Sequence, residues 1–125
     1  MKKTKIALCG SMKVKAQIIA LNEELEQRGY EALLPVECIN SLPKVEASRA
    51  HFKRIIEQAD RILVVNATAH DTKNYIGPNS FAEIAFAFYF HKQIYLWHDI
   101  YEPFRDELEA WNATSLKGDL NNLEQ

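Results

Sequence analysis

The sequence predicts a three-layer α/β sandwich built on a parallel sheet of four to five strands, in a single domain covering residues 1–125. Short apolar runs alternate with longer stretches in which apolar residues recur at helical spacing, the pattern of repeated strand–helix units. The clearest run, Ile62-Leu63-Val64-Val65, is apolar without a break, as a parallel strand covered on both faces should be. The chain has 125 residues, of which 47% are hydrophobic and 26% charged, and this suits one compact domain better than two.

The elements follow in order. Lys5 to Cys9 (KIALC) is β-branched and apolar, is stopped by Gly10, and reads as the first strand. Val14, Ile18, Leu21 and Leu25 mark one face of a helix, with Gly29 as its C-terminal cap. YEALLPV is a second short strand ended by Pro35, and residues 38–43 are a loop. Phe52, Ile55, Ile56 and Ala59 mark one face of a second helix, ahead of the Ile62–Val65 strand. Residues 68–79 form a long loop, and loops of that length are often functional. The apolar helix 81–90 comes next, then QIYLW as a fourth strand. Pro103 opens a polar helix to about Trp111, and TSLKGDL supplies a short fifth strand. Right-handed crossovers place the strands of residues 6–8 and 62–65 side by side at the centre.

Composition excludes several classes. The formal net charge is -2 and no basic stripe dominates, so no nucleic-acid partner is expected; Lys2, Lys3 and Lys5 read as a solvated end. Cys9 and Cys38 make no disulfide framework, and Cys9, inside an apolar run, reads as a buried thiol. His51, His70, His91 and His98 show no zinc-ligand spacing, so neither a metal nor another cofactor is expected. There is no serine-hydrolase elbow or P-loop lysine motif. No apolar run approaches the length of a bilayer span, so no membrane partner is expected. The lysine-flanked Ile6-Ala7-Leu8 is too short for the apolar core of a secretory leader, which makes the cytoplasm the expected compartment.

In parallel sheets of this kind ligands sit beyond the carboxyl ends of the strands, where strand order reverses. That edge gathers Gly10 and Ser11, Asn66 with the loop after it, and Trp97-His98-Asp99. Gly10 and Ser11 can present N–H groups and a hydroxyl to an anion, with Lys13 adding charge. The same residues also suit a plain turn and helix cap. Glu83 is the one charge between Tyr75 and Phe90, and burying an unpaired carboxylate is costly. Ser80-Phe81-Ala82-Glu83 matches a capping box, which is one explanation. A partly desolvated reactive carboxylate at the ligand edge is the other. His70 and Asp71, in the long loop, could handle protons or simply stand in solvent.

Taken together, KIALCGSM, IIEQADRILVV and IGPNSFAEIAFAFYFHKQIYLW resemble the nucleoside 2-deoxyribosyltransferase superfamily, which includes the related 2′-deoxynucleoside 5′-phosphate N-hydrolases. The resemblance runs in order from Lys5 to about Leu120. It implies a flavodoxin-like, Rossmann-like sheet of strand order 2-1-3-4-5. It also implies cleavage or transfer at the N-glycosidic bond of a 2′-deoxynucleoside or its 5′-monophosphate, with Glu83 as nucleophile forming a glycosyl ester. The helix N-terminus would keep Glu83 ionised, and its apolar surroundings would keep it poorly solvated. Cys9, Gly10, Ser11, Met12 and Lys13 correspond to a phosphate-contacting loop, and Asn66, Gly77, Asn79 and Ser80 complete the expected substrate-binding set.

The chain departs from the family pattern at Gly77, where transferases usually carry an aspartate, and at Asn66, where another acidic residue is usual. Those departures favour the alternative of a non-catalytic nucleotide sensor, in which Glu83 bonds a ribose hydroxyl. Either way the expected ligand is a small nucleoside or nucleotide. Phe81, Ile84, Phe86, Phe88, Tyr89 and Phe90 ring the helix that follows Ser80, so one face is expected to lie against a second copy in a homodimer or larger assembly. In the resembled family the neighbouring subunit helps complete the site, which would bring Glu83 close to the partner chain.

Overall fold

The computed structural model describes residues 2–123. Strands β1 (Lys5–Cys9), β2 (Glu31–Leu33), β3 (Arg61–Val64), β4 (Gln93–Leu96) and β5 (Thr114–Ser115) form one sheet in the order β2-β1-β3-β4-β5. Every pairing is parallel, and β1 lies beside β3 with Leu8 opposite Leu63. Helices α1 (Lys15–Gln27), α2 (Lys44–Glu57), α3 (Pro78–Tyr89) and α4 (Arg105–Ala110) alternate with the strands. This is the expected three-layer α/β arrangement, in the strand order that the family resemblance implied.

Alternation along each strand sorts side chains onto the two faces of the sheet. Ile6 and Leu8 of β1 join Ile18, Leu21 and Leu25 of α1 on one side. Ala7 and Cys9 join Ile55 of α2, Ile84 of α3 and Leu108 of α4 on the other. Both faces are covered, so β3 is apolar at successive positions rather than at every second one. α1 ends in a Schellman motif: Gly29 takes a φ of +93°, and Tyr30 N–H reaches the Leu25 carbonyl at 3.1 Å.

Two helices differ from the sequence reading. On α2 the buried residues are Ala47, His51 and Ile55, so the inward face is rotated from the expected one; Phe52 and Ile56 are only half-buried. α3 begins at Pro78, with Gly77 as its N-cap and no side-chain cap bond. Proline suits the first helical position because its fixed φ fits and its missing N–H would have been unpaired there. Ser80 and Glu83 therefore lie inside the helix and form no capping box.

The aromatic residues of α3 are also less exposed than expected. Phe81 packs on Phe104 and Trp111, with ring centroids 4.5 and 5.6 Å away, and Phe86 meets Phe52 at 4.8 Å. Ile84 is buried. The outward aromatic surface is confined to the end of the helix remote from the carboxyl edge, where Phe88, Tyr89 and Phe90 are 45%, 74% and 41% exposed. Among the described residues no helix is long and apolar enough to cross a membrane.

Candidate functional site

The chain passes from β1 outward to β2 and then returns to place β3 on the other side of β1. The loops after β1 and β3 diverge at that point, which opens a crevice at the carboxyl edge. A cavity of about 420 Å³ lies there. Gly10, Ser11 and Met12 line it from the loop after β1, His70, Tyr75 and Gly77 from the β3–α3 connection, and Asn79 and Ser80 from the first turn of α3. Glu37 and Leu42 close it from the segment between β2 and α2, and Lys44 from the start of α2. Of the residues singled out in the sequence, Gly10, Ser11, Met12, His70, Gly77, Asn79 and Ser80 thus line one cavity.

Local geometry explains several of these residues. A Cβ on Gly10 would stand 3.1 Å from Ile18 Cδ1 and 3.2 Å from the Val65 carbonyl oxygen. Only glycine lets the β1–α1 turn approach the end of β3 this closely. Ser11 Oγ accepts from Lys13 N–H at 3.1 Å, which caps the helical turn Met12–Val14; the hydroxyl hydrogen remains available to a ligand. His70 and Asp71 occupy the tip of a two-residue hairpin between Ala69 and Thr72, with φ values of 52° and 54°. Positive φ at both central residues is the mark of a type I′ turn.

Behind the cavity lies a buried polar group. Cys9 is fully buried, and His51 and Glu83 are 1% and 4% exposed. Glu83 sits three residues after Ser80, on the same side of α3 and one turn deeper. Its carboxyl hydrogen-bonds the Cys9 thiol, and its Oε2 lies 4.0 Å from His51 Nε2. His51 Nε2 is in turn 2.9 Å from the Leu8 carbonyl oxygen. A carbonyl only accepts, so Nε2 carries the proton.

Burial sets the charge state of this group. It pushes the Glu83 carboxyl up to about 8, against the pull of the Cys9 hydrogen bond and with the charge of Glu37 adding to the rise. It also raises the Cys9 thiol well above its usual range and lowers His51. At neutral pH the trio is therefore predominantly uncharged. The expectation that the helix N-terminus keeps Glu83 ionised fails, because α3 starts at Pro78 and leaves Glu83 in the second turn, beyond the free N–H groups.

Cys9, His51 and Glu83 are metal-ligand types whose donor atoms lie within 4.8 Å of one another. The nitrogen that faces Glu83, however, is the one that donates to Leu8, so it presents a proton rather than a lone pair. In this arrangement Cys9 and Glu83 are hydrogen-bonded to each other and His51 to the Leu8 carbonyl, which is a buried polar cluster rather than a metal cage. It was invisible to spacing rules, since its members come from β1, α2 and α3. The usable signal was His51 at i+4 from Ala47 and i−4 from Ile55, on the buried face of α2.

Four other expected site residues stand apart from the cavity. Asn66 is fully buried; its Nδ2 donates to the Asp99 carbonyl at 2.7 Å and its Oδ1 accepts from His98 N–H at 2.8 Å. It is a strut joining the ends of β3 and β4. Lys13 and Asp71 are exposed, and neither they nor Cys9 line the cavity. A larger hollow of about 710 Å³ lies beyond β4 and β5, lined by Asn74, Asp99, Tyr101, Arg105 and Lys117 among others. Glu83 does not line it, and its Arg105 and Lys117 are already paired with Glu102, Glu109 and Asp99. No protein-family model matches this chain, and no curated protein matches it.

Proposed function

We propose that this domain takes a 2′-deoxynucleoside or its 5′-monophosphate into the cavity between the β1 and β3 loops and acts on its N-glycosidic bond through Glu83. The observation that carries the reading is the convergence of Gly10, Ser11, Gly77, Asn79 and Ser80 on one cavity, with a desolvated carboxyl one helical turn behind Ser80. Its motifs resemble those of the nucleoside 2-deoxyribosyltransferase superfamily, and the strand order is the one that the resemblance implies.

In this mechanism Glu83 loses its proton and turns its carboxylate toward the cavity. A carboxylate oxygen bonds to C1′ as the bond from C1′ to the base nitrogen breaks, and the base leaves with the electron pair. His70, at the cavity wall, is placed to supply a proton to the departing base. Water, or a second base, then opens the ester and frees Glu83. The domain works among free nucleotides in the cytoplasm, and as a homodimer joined through Phe88, Tyr89 and Phe90.

A specific observation favours a second reading. Glu83 is 4% exposed, does not line the cavity and is held neutral by burial, as suits a sensor that binds a nucleotide without cleaving it. Incubation with a panel of deoxynucleosides and their monophosphates, with and without an acceptor base, separates the readings. Free base means hydrolysis, exchanged base means transfer, and tight binding with intact recovery means a sensor. Full turnover by Glu83→Ala would remove Glu83 from the mechanism.

A further inference from the structure

His51 has one ring proton and two acceptors near it. Nε2–H donates to the Leu8 carbonyl at 2.9 Å, and Glu83 Oε2 lies 4.0 Å from the same nitrogen. While Glu83 is neutral, the peptide carbonyl is the better acceptor and the observed seating follows. Ionisation reverses that order, because a hydrogen bond to a carboxylate is roughly twice as strong as one between neutral groups. The side chains of His51 and Glu83 are 1% and 5% exposed, so no bulk water competes for the position.

We propose that His51 is the positioning residue of Glu83: its Nε2–H leaves the Leu8 carbonyl and turns to the Glu83 carboxylate when Glu83 releases its proton to solvent. The inference deepens the glycosidic reading and rests on it, since the attacking form of Glu83 is the ionised one. Cys9 of β1 supplies the other donor to the carboxylate. Glu37, in the turn after β2, opposes its ionisation, and Arg54 on α2 acts on His51. α3 brings no second charge. A carboxylate accepts several hydrogen bonds, so the thiol leaves capacity for His51. Leu8 directly precedes the Cys9-Gly10-Ser11 segment, so the exchange links the charge on Glu83 to the cavity loop.

The test is nuclear magnetic resonance on the unaltered protein, isotopically labelled in histidine and glutamate, with Glu83→Gln identifying the Glu83 signal. The His51 Nε2–H resonance is expected to move downfield with the same pH midpoint as the Glu83 carboxyl. In His51→Phe the Glu83 midpoint rises by about one pH unit, and His51→Gln, which keeps an N–H donor, restores most of it. A His51 resonance that stays fixed while Glu83 titrates overturns the proposal, whether or not His51→Phe folds. The readout involves no turnover, so it is distinct from the glycosidic reading. Linked titration in a protein that cleaves no nucleotide would remove the chemistry and leave the positioning intact.

Discussion

Ser48 Oγ donates to Asn79 Oδ1 across 3.1 Å and ties α2 to α3 at the cavity rim. Deeper along the same two helices His51 faces Glu83 at 4.0 Å, and Phe52 meets Phe86 with ring centroids 4.8 Å apart. The seam therefore passes from polar at the cavity to ionisable and then aromatic in the interior. A rim pair can exchange its hydrogen bond with a ligand. The ionisable pair beneath it cannot exchange with water, so the fold sets its charge state.

Glu83 should make stability fall as pH rises. Its folded pKa of about 8 exceeds the ordinary 4.5, so between those values the folded chain keeps a proton that the unfolded chain loses. Stability from this group is fully present below the lower value. It declines by about 1.4 kcal/mol per pH unit across the window, until the folded group also ionises. Urea denaturation at about pH 5 and about pH 8 is expected to show this slope in the native protein and its loss in Glu83→Gln. Equal slopes in the two proteins would contradict the assignment. Under the glycosidic reading, cleavage rises with pH toward about 8, where the nucleophile ionises.

Asn66→Ala leaves His98 N–H and the Asp99 carbonyl without their partner. The expected loss is roughly 2 kcal/mol, read by chemical denaturation. Under the proposed nucleotide reading, the affinity of the folded variant should stay close to native, because Asn66 does not line the cavity. A large fall in affinity at unchanged stability would show that Asn66 touches the ligand after all.

Gly10→Ala forces a methyl group against Ile18 and the Val65 carbonyl oxygen, at 3.1 and 3.2 Å. Overpacking of this kind costs roughly 1–3 kcal/mol, and it should also displace the loop that carries Ser11 and Met12. Thermal stability should therefore fall and, under the proposed nucleotide reading, so should nucleotide affinity. An alanine variant as stable as the native protein would show that the turn has slack.

Phe88→Glu addresses the proposed homodimer. Phe88 is 45% exposed and stacks on Trp111 at 4.9 Å, beside the more exposed Tyr89. A dimer joined there buries an aromatic patch that a carboxylate would keep in water. Sedimentation is expected to show a dimer for the native chain and a monomer for the variant. A native monomer at micromolar concentration ends the proposal. The patch lies at the end of α3 away from the cavity, so under the proposed reading this variant should bind nucleotide as the native protein does.

The layers, the strands and the helix order were legible because each is written in local periodicity. Ile6 to Cys9 and Ile62 to Val64 are apolar at successive positions, as a strand covered on both faces requires. Gly10, Ser11, Asn79 and Ser80 could be grouped because an all-parallel sheet sends all its strand ends to one edge. Lys13, Asn66 and Asp71 share that edge without lining the cavity, since edge position leaves side-chain direction open.

The sequence by itself determined that the chain forms a parallel α/β sandwich and that an acidic residue sits in its most apolar helix. Tertiary structure alone decided what that acid meets. Glu83 finds Cys9 from β1 and His51 from α2, partners distant in sequence, and no local pattern encodes their meeting. The same holds for its charge, because desolvation depends on every element packed around the carboxyl. Secondary structure answers to neighbours along the chain, while the protonation of a buried group answers to neighbours in space.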